Sequence, residues 1–212
     1  MSQSSRQAFK EAAVLFEQWA ASVDQSKRDW AEDYPQWLEI VKTAQEMLFQ
    51  KDLSPEELNF LSRWWAFTHE AGECADEAKE NIQNPVVRHN VLELTVSDDP
   101  TVRWQAYDTF VGLPYLDADT QSILEQGLED DNSYVRRRCF TTLRKMDRDS
   151  IRYFPKMLDD PDTYNRYVGA MLAWKLGTDL IKKSELVSEN DPEVKERMEY
   201  YFAHKELIDQ YD

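Results

Sequence analysis

Apolar residues recur along this chain at steps of three and four, the spacing that gathers side chains on one face of a helix. Phe9, Ala12, Phe16, Trp19 and Val23 predict a helix over 5–23, and the polar stretch 24–34 predicts a loop. Trp37, Ile40 (or Val41), Ala44 and Leu48 predict a second helix over about 35–50. The third is the best signalled. Ser54 is a capping residue, Pro55 sits at the first helical position and Glu57 closes a capping box. The stripe Phe60, Trp64, Phe67, Ala71, Cys74, Ala78, Ile82 carries this helix to about Gln83. A second row, Leu58, Leu61 and Trp65, widens its first half, so burial on two sides is predicted there. No segment alternates with period two between hairpin turns, so no sheet is predicted.

Beyond residue 84 the pattern changes character. An acidic turn followed by an amphipathic helix is written three times. Asp98-Asp99-Pro100 leads into Val102, Arg103, Ala106 and Phe110. Asp130-Asp131-Asn132 leads into Val135, Arg136, Cys139 and Leu143. Asp159-Asp160-Pro161 leads into Tyr164, Arg166, Val168, Leu172 and Leu176. A fainter copy follows Asn190-Asp191-Pro192, with Val194, Lys195 and Met198. A period of about thirty residues is that of helical repeat arrays. Asn84-Pro85 and the Asp-Pro pairs read as caps. A side-chain oxygen accepts the orphan N–H groups of the first turn, the proline loses nothing at a position whose N–H is unpaired anyway, and the carboxylate sits at the positive end of the helix dipole. Shorter helices are predicted at about 118–129, 151–158 and 179–188, and a last one from Pro192 to about Leu207 with Tyr201 and Phe202.

These units resemble HEAT-like repeats. The closest is Ile151 to Gly177: a short first helix with an early proline, Pro155, then Met157-Leu158-Asp159-Asp160-Pro161 and a second helix with Ala170 and Ala173. Thr120 to Met146 matches nearly as well, with Val135-Arg136 in the place of the family's Val-Arg pair. Asn165-Arg166 and Lys195 depart from that pair. The resemblance covers about 85–208. It implies an all-α, right-handed solenoid of about four helix pairs, residues 85–212, closed by a three-helix N-terminal cap, residues 1–84. It also implies that Arg136 and Arg103 tie neighbouring repeats to an aspartate.

Charge narrows the function. The 212 residues carry 41 Asp+Glu against 25 Lys+Arg, a net charge of −16. General binding to phosphate backbones needs a basic face, so this balance points to a basic protein partner instead. The charge is uneven: residues 133–169 hold nine basic against five acidic side chains. Most of that block is Arg136, Arg137, Arg138, Arg144, Lys145, Arg148 and Arg152. Arg137, Arg144 and Arg148 share one side of a helix. They are solvated cations paired with the acidic surface, or an anion site using bidentate guanidinium contacts.

Other chemistry is thinner. His69 and Glu73 share a helical turn with Glu70 and Glu77 near, but His89 and His204 have no matching partners, so no metal or cofactor is expected. Cys74 and Cys139 sit in apolar stripes and read as buried thiols in a reducing compartment. The segment Met1 to Lys10 has no apolar core of a secretory signal, and no stretch approaches 18 apolar residues, so a cytoplasmic protein is expected. Some HEAT-like proteins are DNA glycosylases that hold a damaged nucleotide with Trp and Asp on a basic concave face. Trp104, Asp108 and Trp174 keep that reading open, and the overall charge opposes it.

The expected function is therefore non-enzymatic protein binding, with Asp98, Asp99, Asp108, Asp130 and Asp131 as candidate contacts. By size, charge and fold the chain resembles bacterial immunity or antitoxin proteins that neutralise a basic nuclease toxin. A scaffold or adaptor is the competing binding role.

Overall fold

The regular elements of this chain, in a computed structural model that describes residues 3–24, 30–68, 73–147, 149–175 and 192–204, are all helical. No strand occurs among the described residues. The helices are α1 (Gln3–Ala20), α2 (Trp37–Leu48), α3 (Pro55–Phe67), α4 (Glu73–Asn81), α5 (Pro85–Leu94), α6 (Pro100–Thr109), α7 (Ala118–Gly127), α8 (Ser133–Met146), α9 (Phe154–Leu158), α10 (Thr163–Lys175) and α11 (Pro192–Ala203). The chain divides into two compact units, Met1–Ile123 and Leu124–Asp212.

In the first unit, α1 packs on α2 and α3, and these three share an aromatic core. Phe16 is its hub. Trp64 meets it edge-on at 4.7 Å, Phe67 at 5.0 Å and Tyr34 at 5.1 Å, and Trp37 lies 5.4 Å from Trp64. Edge-to-face contacts of this kind add about 0.5–1.5 kcal/mol each beyond the area they bury. The long third helix expected to reach Gln83 is described as two helices, α3 and α4. Thr68 ends α3, its backbone N–H returning to the Trp64 carbonyl and its hydroxyl to the same oxygen. Residues 69–72, including His69, Glu70 and Ala71, lie outside the described residues. The most buried residues of α3 are Leu61, Trp64 and Trp65, whereas Phe60 and Phe67, expected in the core, are half-buried. The buried face therefore follows the Leu61–Trp65 row as much as the longer stripe.

The capping box at Ser54 is present in full. Its hydroxyl accepts from the Glu57 N–H at 3.3 Å, and Glu57 Oε2 accepts from the Ser54 N–H at 2.8 Å. Burial works against ionised Glu57, but the Ser54 hydrogen bonds and the charges of Arg6 and Lys10 hold its carboxyl below the usual range. α5 and α6 pack on α3, α4 and each other. Asn90 on α5 is buried and donates to the carbonyls of Leu48 and Gln50, which satisfies the end of α2 from outside it. Gly112 follows α6 in a 3-10 turn against α4, where a Cβ would overlap the Lys79 carbonyl oxygen; only glycine fits so close an approach.

In the second unit, α8 and α9 both pack on α10. The segment expected as a helix over 151–158 is a 3-10 turn, Ser150–Tyr153, leading into the short α9, and Ile151 is exposed rather than part of the core. Phe140 and Phe154 meet edge-on at 5.1 Å. At Gly169 a Cβ would sit 2.9 Å from Met157 Cβ, so α9 and α10 touch almost backbone to backbone. Cys139 takes the equivalent small, buried position on α8, and both cysteines are free and buried. The helix expected over 179–188 lies outside the described residues.

Candidate functional site

The acidic turns share one hydrogen-bond plan, in a register shifted by one residue in the first and third copies from the one the doublets suggest. Ser97, Asp130 and Asp160 each accept, through a side-chain oxygen, the N–H two residues on: Asp99 at 3.2 Å, Asn132 at 2.9 Å and Asp162 at 2.8 Å. The residue at that second position then caps the helix. Asp99 accepts from the Thr101 N–H at 2.7 Å, Asn132 from those of Tyr134 and Val135, and Asp162 from that of Asn165 at 3.0 Å. An arginine six residues into each copy closes the turn. Arg103 Nη1 donates to the carbonyls of Ser97 and Asp98, Arg136 Nη1 to those of Asp130 and Asp131, and Arg166 Nη1 to those of Asp160 and Pro161.

Asp99 is thus a cap as expected, whereas the caps of α8 and α10 are Asn132 and Asp162. Asp160 has a different role. Its carboxylate receives Arg136 Nε and Nη2, each at 2.8 Å, and the pair is buried, with Asp160 6% and Arg136 9% exposed. Burial alone raises a carboxylate pKa, but Arg136, the Asp162 N–H and Asn165 together hold Asp160 below its ordinary value.

The rest of the arginine block is largely engaged as well. Arg137, expected to pair with the acidic surface or to serve an anion site, lies between two tyrosine rings, 4.6 Å from the Tyr134 centroid and 4.5 Å from that of Tyr164. Its Nη1 donates to Asn165 Oδ1 at 3.2 Å, and burial lowers its pKa. Arg144 is half-buried, and burial lowers its pKa too. Arg148 lies outside the described residues. Arg152 pairs with Asp147 at 2.6 Å and donates to the Tyr153 hydroxyl. That hydroxyl lies 2.9 Å from Glu125 Oε1, and burial first, then these carboxylates, push its pKa up.

The candidate acidic contacts fall in two groups. Asp98, Asp99 and Asp108 belong to the first unit, and Asp130 and Asp131 to the second. Asp130 holds the turn before α8, Asp131 is exposed beside it, and Asp108 is half-buried in the last turn of α6. Asp98 and Asp99 are brought to a cleft of about 340 Å³ between α3 and the α5–α6 turn. Leu58 and Leu94 line it, and Val96 stands in it 77% exposed. Its cation, Arg63, is paired with Glu17 at 2.8 Å, and Ser62 bridges to Ser97 at 2.7 Å. Sequence reading missed Glu93 and Val96, which enter the cleft because the last turn of α5 runs into the acidic turn. A larger groove between α1 and α3 holds Val14, Leu15 and Phe60, but its Lys10 and Glu56 pair with one another at 3.1 Å.

Among the described residues no set of three or more His, Cys, Asp or Glu side chains is placed to hold a metal ion, and no helix is long and apolar enough to cross a membrane. His69 lies outside the described residues. Trp104 is half-buried on α6, and nothing is described of the Trp174 side chain. Set against known proteins, the chain matches no family model, no characterised protein and no solved structure.

Proposed function

We infer that this chain is a HEAT-like helical repeat module that binds a basic protein through its acidic surface, in its most concrete form an inhibitor that sequesters a basic nuclease. One observation carries the reading: among the described residues several arginines are committed to turns, ion pairs or ring contacts, while acids outnumber basic residues in the chain and some carboxylates stand exposed without a partner. Arg103, Arg136 and Arg166 close their own turns, Arg137 is stacked between tyrosines, and Arg88 holds Asp117 at 2.7 Å. Glu93 and Asp98, by contrast, are exposed carboxylates in a chain of net charge −16. Such a surface attracts a basic partner over a Debye length and speeds its encounter. It repels a nucleic-acid duplex, whose neutralisation needs free Lys and Arg. The repeat assignment draws support from the shared hydrogen-bond register of the three turns.

The test is capture of partners by the immobilised protein from extracts of its source, followed by association kinetics at rising salt. The expected partner is basic, and its on-rate falls as the Debye length shrinks from about 10 Å at 0.1 M to about 3 Å at 1 M. An acidic partner, or an on-rate indifferent to salt, overturns the reading. A mobility shift of duplex DNA at physiological salt would favour the nucleic-acid reading in its place.

A further inference from the structure

We propose that the cleft between α3 and the α5–α6 turn is the anchor point for an arginine side chain of the partner protein. The proposal rests on the charge reading above and assigns it a place and a residue type. The cleft, about 340 Å³, combines an apolar wall with two acidic side chains, Glu93 and Asp98, that have no internal task among the described residues, beside the capping Asp99. Leu58, Leu94 and exposed Val96 supply the wall, which suits the three methylenes of an arginine stem. The carboxylates of Glu93 and Asp98 make no ion pair and accept no hydrogen bond among the described residues, although both lie at its rim. The one cation lining the cleft, Arg63, is already held by Glu17.

The wall is also held in place before anything binds. Arg103 fastens the carbonyls of Ser97 and Asp98, the Ser62 and Ser97 hydroxyls are bonded, and Asp99 is fixed as the α6 cap. A site ordered in advance loses less entropy when occupied. Arginine fits better than lysine because its planar fork can meet two carboxylate oxygens at once and is more weakly hydrated, so it leaves water more readily for a half-apolar cleft.

The experiment uses N-acetyl-arginine methylamide as the probe, with the lysine and citrulline analogues as controls, followed by amide shifts in the isotope-labelled chain. Saturable shifts centred on Ser62, Val96, Ser97 and Asp98 are expected for arginine, weaker ones for lysine and none for the uncharged citrulline. They are expected to vanish in Glu93→Gln/Asp98→Asn, which leaves every cap and ion pair intact and keeps the wild-type melting curve. Equal response to lysine, or shifts spread over the acidic surface, overturns the assignment. With a basic partner in hand, the same double variant should bind it roughly tenfold or more weakly. If the partner binds but the variant matches wild type, the cleft assignment fails and the charge reading stands. If no basic partner binds while the arginine shifts appear as described, the charge reading fails and the cleft remains an arginine site.

Discussion

Removing the Asp160 carboxylate separates two accounts of the acidic turns. If it were a helix cap, Asp160→Ala would cost about 0.5–2 kcal/mol. The structure gives it more to do. It receives both Nε and Nη2 of Arg136 at 2.8 Å and the Asp162 N–H at 2.8 Å, with only 6% of the residue exposed. Hydrogen bonds to charged groups contribute about 1.5–3 kcal/mol each, and two to one carboxylate are not additive. The alanine variant also leaves the Arg136 guanidinium buried without its counter-charge, which places the loss at about 3–5 kcal/mol. Urea unfolding at pH 7, followed by far-UV circular dichroism, measures it. Asp160→Asn keeps an acceptor for the Asp162 N–H and should still lose most of that amount, since the charge is what it lacks.

The pH dependence has a definite sign. A carboxyl held below its ordinary value in the folded state stabilises fully above the unfolded value of about 3.9, and the contribution fades as pH falls through the folded value. The gap between wild type and Asp160→Ala should be flat near neutrality and close only below about pH 4. A loss under about 1 kcal/mol for both variants, the level of a solvated ion pair, would refute the reasoning.

Three further outcomes are expected. Asn132→Ala should cost about 0.5–2 kcal/mol in the same unfolding assay, since its side chain accepts two N–H groups at the start of α8, while Asp131→Ala at the exposed neighbouring position should cost no more than about 1 kcal/mol. Trp64→Ala should destabilise by about 3–5 kcal/mol and abolish the near-ultraviolet dichroism of the aromatic core; an unchanged spectrum would contradict the packing around Phe16. Arg137→Ala should lower stability by about 1–3 kcal/mol through loss of contacts to two tyrosine faces, and leave partner binding unaffected.

The helices were legible because burial imposes a period on the sequence, and the capping box at Ser54 and the caps at Asn84 and Asp99 were legible because they are local. What failed to show is what depends on a partner far along the chain. Asp160 sits in an Asp-Pro pair like that of Asp99, so composition marks both as caps; the resemblance implies that Arg136 reaches an aspartate of a neighbouring repeat, as it does, but not that this aspartate is Asp160, 24 residues on and itself marked as a cap. Arg137 lies on the polar side of α8 by spacing alone and becomes half-buried because α10 brings Tyr164 and Asn165 to it. The break after Phe67 is hidden by an apolar stripe that continues in step through residues 71 and 74. The cleft was half visible: Asp98 and Asp99 were marked by charge, whereas Glu93 and Val96 have no distinguishing pattern of their own.

The arginine that fastens each turn reaches back only five and six residues, at Ser97–Arg103, Asp130–Arg136 and Asp160–Arg166. Loops of that length close in roughly 10–100 ns, long before distant segments meet. Each corner of the chain can therefore take its shape while the polypeptide is still leaving the ribosome, which emits about 5–20 residues per second. A local constraint is then available early at these three turns, and the slower part of folding is the packing of the helices, which are too short to be stable alone, against one another. Contacts so near in sequence belong to the fast end of the folding-rate scale.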